Sequence, residues 1–212
     1  THDKRHGTIL RMDINTGKLE IYAQGIRNSV GFDWNPRNGE LWFTDNGRDW
    51  LGDDLPPDEL NRAYRKGLHF GFPLVHGDNV FDPEYSKKHE LWSDELRLDK
   101  PELKLGAHVA PLGMTFYKGD QFPGSYKNRI IIAEHGSWNR SIKTGYRLIS
   151  VVLGKYKVES VEPSVTGWLR ESDGEDDDMH WGRPVDIINM PDGSLLVSDD
   201  YADAIYRISY TQ

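Results

Sequence analysis

Residues 25–61, GIRNSVGFDWNPRNGELWFTDNGRDWLGDDLPPDELN, place a turn, two alternating apolar runs and a charged loop side by side. Phe32 and Trp34 lie two apart ahead of Asn35-Pro36-Arg37-Asn38-Gly39, and Leu41 and Phe43 lie two apart after it. That is the period of strands with one buried face, so the stretch predicts a β-hairpin. Arg27 and Asn28 precede the hairpin, and Asp45, Asn46, Gly47, Arg48 and Asp49 follow it. Both ends therefore bring polar groups to one rim, where loops on a rigid scaffold carry function.

The same pattern recurs. Residues 186–199, DIINMPDGSLLVSD, repeat the order apolar strand, Pro, turn Gly, apolar strand, Ser or Thr, Asp, and residues 113–117 with 130–134 form a degenerate third copy. Such self-similarity is the mark of a β-propeller, with each copy a hairpin of one blade and roughly three blades in the chain. Residues 6–13 and 18–23 read as two further strands around Asn15-Thr16-Gly17. Residues 50–105 read as a long loop insertion punctuated by Pro56-Pro57, Gly67, Pro73, Gly77 and Asp82-Pro83, with a short helix over 58–65 as its only element. Loops of that length are commonly functional.

A chain of 212 residues suits one domain with a sizeable core. Its 21 Gly, 11 Pro and 11% aromatic residues suit many short strands and tight turns, an all-β composition. The net charge of -8, without a long run of Lys and Arg, argues against nucleic acid as a partner. Absence of cysteine excludes disulfides and thiolate metal sites, and no apolar run reaches the length of a membrane span. No signal peptide is visible, but Thr1-His2-Asp3-Lys4 does not resemble a natural start, so one could lie upstream or have been removed.

Several side chains could carry chemistry. Arg27 could simply pair with a neighbouring Asp on the rim. His135, Trp138, Asn139 and Arg140 follow the third hairpin on the same rim as Arg27 if the blades repeat; an indole stacks on flat rings and a guanidinium pairs with carboxylates. His108 either lines the site or caps a strand. Asp53, Asp54, Asp58 and Glu59 read as a solvated acidic loop, with a second ion site as the alternative. His69, His76, His89 and His180 show no metal-ligand spacing. Ser137 lacks a Gly-x-Ser-x-Gly frame, and residues 171–178 read as a solvated acidic run.

Gly25-Ile26-Arg27-Asn28, Gly39-Glu40-Leu41-Trp42, Asp45-Asn46-Gly47, Gly52-Asp53-Asp54 and Asp58-Glu59-Leu60-Asn61, in that order, resemble the glucose/sorbosone dehydrogenase family. Residues 66–73, 108–117, 133–140 and 182–208 extend the resemblance along nearly the whole chain, but only to the C-terminal part of the family. It implies part of a six-bladed β-propeller that oxidises sugars with pyrroloquinoline quinone (PQQ) and calcium, passes electrons to an external acceptor, and works in the periplasm or outside the cell. It places Arg27, Asn28, Asn46, His135, Trp138, Arg140 and Arg183 around PQQ, and calcium on the backbone carbonyls of Gly47 and Arg48. The family's catalytic His would then lie upstream of Thr1, and the rest of the propeller or another chain would cover the open blades. Arg48 stands where the family frequently has Pro, Asp49-Trp50-Leu51 are extra, and Val185 stands where a second carboxylate-binding Arg is common. Two rival readings are a propeller that only binds carbohydrate or protein, and a calcium-dependent lactonase.

Overall fold

The computed structural model describes residues 3–88, 91–93, 96–155, 157–170 and 179–211. Sixteen strands carry the fold, with only short 3-10 turns besides them among the described residues. The hairpin read from residues 32–45 is present as β3 (Phe32–Trp34) and β4 (Leu41–Asp45), in register Phe32 with Phe43 and Trp34 with Leu41. The repeats are hairpins too: β10 (Pro111–Phe116) pairs with β11 (Ile130–Glu134), and β14 (Pro184–Asn189) with β15 (Leu195–Asp199). Each hairpin opens a larger antiparallel sheet. The strand β12 (Arg147–Leu153) and β13 (Val158–Val165) complete the second, and β16 (Ala204–Ile208) adds to the third.

At the N-terminal end, β1 (Thr8–Met12) and β2 (Leu19–Gln24) pair as the sequence suggests, and β6 (Leu68–His69) adds to β2 in parallel. The insertion departs from its reading. Residues 58–63 are not helical but form β5 (Asp58–Ala63), a central strand between β4 and β9 (Leu103–Gly106). Leu60 and Ala63 enter different apolar cores on the two faces of that sheet, so pairing and burial on both sides override a weak local preference for helix. Within the insertion, β7 (Val75–His76) and β8 (Val80–Phe81) make a separate hairpin. The supposed long loop thus supplies two strands of one four-stranded sheet. Residues 171–178 and His89 lie outside the described residues.

The sheets stack in sequence. One core, with Phe43 and Ala63, joins the β1–β2 sheet to the β3–β4–β5–β9 sheet; a second, with Trp42, Leu60, Phe116 and Ile132, joins that sheet to β10–β13; a third, with Tyr117, Leu148, Ile187 and Val197, joins it to β14–β16. First strands of successive sheets lie side by side, close enough that a Cβ on Gly31 would meet Leu112 O at 2.1 Å and one on Gly113 would meet Asp186 Oδ1 at 2.1 Å. Only glycine admits that approach. The repeat in the sequence is therefore a repeat of interface as well as of strand.

One face is left uncovered. Leu10, Met12, Val30, Phe32 and Trp34 are all exposed and border a groove of about 670 Å³ between β1 and β3. Contiguous apolar surface of this kind drives association. Sedimentation of the purified chain is expected to show self-association that grows with concentration and is reduced in Phe32→Ser/Trp34→Ser; a monomer at every concentration would contradict this.

Candidate functional site

The starts of β3, β10 and β14 and the ends of β4, β11 and β15 lie at one rim, as antiparallel hairpins require. Carboxylates at the strand ends hold the loops there. Asp45, at the end of β4, accepts the backbone N–H of Asn28 at 2.6 Å and of Arg27 at 3.0 Å. Asp199, its counterpart at the end of β15, accepts the N–H of Arg183 at 2.9 Å. Asp58 accepts the N–H of Gly47 at 2.7 Å and of Ala110 at 2.8 Å, joining loops of two neighbouring sheets. The Asp45–Asp199 correspondence was legible in the repeat; the role of Asp58 was hidden by the expectation of a solvated loop. Asp58 and Glu59 are in fact 3% and 7% exposed, whereas Asp54 is exposed.

These anchors frame a cleft of about 140 Å³ lined by Arg27, Asn28, Asn46, Gly47, Asp58, His108 and Trp138, among others. Arg27 Nη1 donates to Asn46 O at 3.1 Å, and its Nη2 stands 3.6 Å from Asp49 Oδ2, so the rim pairing and the cleft-lining position hold together. Asn46 Nδ2 donates to Asn28 O and Pro111 O. His108 lines the cleft and gives its Nε2 to a 2.8 Å contact with Gly52 O. Trp138 and Trp50 are 63% and 74% exposed and meet edge to face at 5.7 Å. Trp50, His108 and Ala110 have φ of 69°, 63° and 53°. Such left-handed non-glycine backbone is uncommon and gathers at functional sites.

The other expected site residues sit differently. Arg183 spends Nε and Nη2 on the carbonyls of His135 and Gly136, at 3.2 and 2.5 Å, and lies over the Tyr146 ring. His135 Nε2 is 2.9 Å from Asp200 Oδ1, and burial lowers the pKa of the imidazole. Arg140 is tied to Asp53 O and, at 3.1 Å, to Asp54 Oδ1. Arg48 turns its guanidinium to Asp82. Arg27, Asn28, Asn46, Gly47 and Trp138 thus converge on the cleft, while His135 and Arg183 form an adjoining cluster. Asp49, Asp58 and Ala110 line the cleft without having been singled out from sequence as cofactor residues.

Behind the cleft, burial raises Asp45 and Asp58 to about 6, and burial together with the neighbouring Asp45 and Asp58 charges raises Glu59 to about 8. No group of three or more His, Asp or Glu side chains is placed to hold a metal among the described residues. Backbone oxygens are the remaining donors, and no hydrogen bond among the described residues reaches the carbonyls of Gly47 or Arg48. Carbonyl oxygens without a hydrogen bond, near buried carboxylates, are the kind of donor a hard cation takes.

The model of the family described as Glucose / Sorbosone dehydrogenase matches residues 8–138, more than half of the chain. The chain belongs to that family. An uncharacterized protein of Borreliella burgdorferi is 42% identical over 98% of this chain and 53% of its own length, and a pyrroloquinoline quinone-dependent pyranose dehydrogenase of Coprinopsis cinerea is 32% identical over 51% of this chain and 16% of its own. The holo form of the pyranose dehydrogenase PQQ domain of C. cinerea shares the fold with a TM-score of 0.71 at 18% identity, over 99% of this chain and 63% of that one. The soluble aldose sugar dehydrogenase of Escherichia coli does so at 0.63 and 22%, over 100% of this chain and 57% of that one. This dehydrogenase-family chain therefore spans about half the length of the curated relative that it matches throughout.

Glu59 gives the site a pH signature. The folded chain keeps a proton that the unfolded chain has released, so the stabilisation is complete below the ordinary carboxylate pKa of 4.5 and is lost as pH rises through about 8. Chemical denaturation is expected to show stability falling from about pH 7 to about pH 8.5, above the range where histidines titrate, with the slope flattened in Glu59→Gln. An equal slope in both proteins would contradict the assignment.

Proposed function

We propose that the intact protein oxidises an aldose or related sugar by hydride transfer to PQQ in the presence of calcium, and that this chain supplies part of the cofactor cradle in one portion of a six-bladed propeller. The observation that carries the reading is the convergence of Arg27, Asn28, Asn46, Gly47 and the exposed Trp138 on one cleft. PQQ held in this cradle would supply the hydride acceptor. The Arg27 guanidinium, held in place by Asn46 O and by Asp45 beneath its backbone, would stabilise negative charge on the cofactor's oxygens. Asn28 adds an amide beside it. Trp138 and Trp50 offer flat faces at the mouth.

Gly47 and Arg48 would hold the calcium through their carbonyls, with Asp45 and Asp58 setting a negative field behind them. Arg183 and His135 would meet the cofactor only at its edge, since the Arg183 guanidinium already serves two carbonyls. The proton-accepting His of the reaction, the external electron acceptor's surface and a periplasmic or secreted location belong to the proposal for the whole protein. The exposed indole pair also favours a second reading, a module that stacks on carbohydrate without redox chemistry.

Titration with PQQ in calcium and in chelator, followed through tryptophan fluorescence, separates the two. Quenching is expected in calcium alone, and Arg27→Ala is expected to weaken it about tenfold, the loss of one charge-assisted hydrogen bond. Quenching by sugar but not by PQQ would favour the binding module. Reduction of a dye with an aldose panel then reports whether turnover accompanies binding.

A further inference from the structure

Residues 49–52 follow the cleft loop and are held at both ends. Arg48 Nε donates to Asp49 O at 3.4 Å, and Gly52 O takes the 2.8 Å contact from His108 Nε2. Between those ties Trp50 stands in left-handed backbone, at φ 69°, and is 74% exposed. Its strain is offset by no burial, which is the pattern of a side chain kept for a ligand rather than for the core. The indole meets Trp138 at 5.7 Å with the rings 78° apart, so the pair makes a corner rather than one flat shelf. Trp138 is itself 63% exposed and lines the cleft, so the corner is open to solvent and continuous with the cleft.

Beside the corner stands an unused acceptor. No hydrogen bond among the described residues reaches the carboxylate of Asp49, which lines the cleft: Arg27 Nη2 is 3.6 Å from its Oδ2 and His108 Nδ1 is 3.9 Å from its Oδ1, both beyond hydrogen-bond length. Its oxygens are left as acceptors for hydroxyl groups. The nearby Arg27 guanidinium offsets its charge, which favours a neutral ligand over a charged one. At about 140 Å³ the cleft is smaller than the few hundred Å³ of an ordinary ligand pocket, so a molecule seated there continues past the mouth and over the indoles. An apolar face for C–H groups beside carboxylate lone pairs for O–H groups matches a pyranose, whose ring presents both.

We propose that Asp49 and Trp50 form a sugar-binding subsite at the mouth of the cleft: the Trp50–Trp138 corner stacks on the C–H face of a neutral pyranose while the Asp49 carboxylate accepts its hydroxyls. Residues 49–51 are those that this sequence adds to the family pattern, so the subsite belongs to this chain's own loop. The inference rests on the sugar reading given above and names the side chains that select the sugar.

The test is saturation-transfer NMR of the purified chain with methyl β-D-glucoside, first alone and then with PQQ and calcium, with glucuronate as the charged counterpart and thermal melting measured alongside. The glucoside is expected to bind with its ring C–H protons most strongly saturated. Trp50→Ala is expected to weaken it about fivefold, and Trp50→Phe to keep most of the affinity because a smaller ring still offers a face. Asp49→Asn is expected to weaken the glucoside about fivefold and to strengthen glucuronate, since Arg27 is then left without its counter-charge. A lowered melting temperature with the preference between the two sugars unchanged would mean that the loop is only structural, and would overturn the proposal. Glucoside affinity unchanged in Trp50→Ala, or no glucoside binding in either condition, would do the same. Sugar binding with no response to PQQ would remove the quinone chemistry and leave the subsite standing, whereas calcium-dependent PQQ quenching without sugar saturation would remove the subsite alone.

Discussion

Asp58 holds the N–H of Gly47 and of Ala110 with its two oxygens, and in doing so ties the loop after one hairpin to the strand that begins the next sheet. Much of the rim follows from that bridge. It sits on β5, inside the sheet and away from water, where a carboxylate is worth keeping only because backbone donors are aimed at it. Asp45 and Asp199 do the same for the loops that start β3 and β14. Strand-end carboxylates convert a stack of sheets into a rim of fixed polar groups, and the arginines of that rim are placed by their backbones before their side chains choose partners.

The cost of burying these acids is visible in their protonation. Asp45, Asp58 and Glu59 lie close enough together to disfavour one another's charge, with the Arg27 guanidinium opposing that repulsion. A site of this kind gains from a cation in the cleft in front of it. Left-handed backbone at Trp50, His108 and Ala110 adds strain along the same edge. Strain and buried charge together mark a region shaped for a ligand at the expense of stability.

The fold was legible wherever the pattern was local. Alternation around Asn38-Gly39 and Asp192-Gly193 gave the hairpins, and their recurrence gave the stacking, because each copy buries its apolar face against the next. The insertion was not legible in this way. The Asp-Glu-Leu-Asn run of β5 reads as polar, and only its position between β4 and β9 makes a strand of it. For the site, Arg27, Asn28, Asn46 and Trp138 could be named from motif and repeat, and the cleft contains them. Asp58 and the Arg48–Asp82 pair could not, since each depends on contacts across long sequence separations. Arg183 and Arg140, expected from sequence to pair with carboxylates of the cofactor, also have carbonyl and carboxylate partners within the folded chain.

The proposed function needs the loop at Gly47 and Arg48 to hold a hard cation beside two indoles. Terbium, a luminescent stand-in for calcium, tests it directly when added to the chain and excited through tryptophan. The expected result is sensitised emission that calcium displaces and that Trp50→Phe and Trp138→Phe diminish, since those indoles stand at the cleft mouth. Emission absent, or present but indifferent to calcium and to both substitutions, would contradict the account.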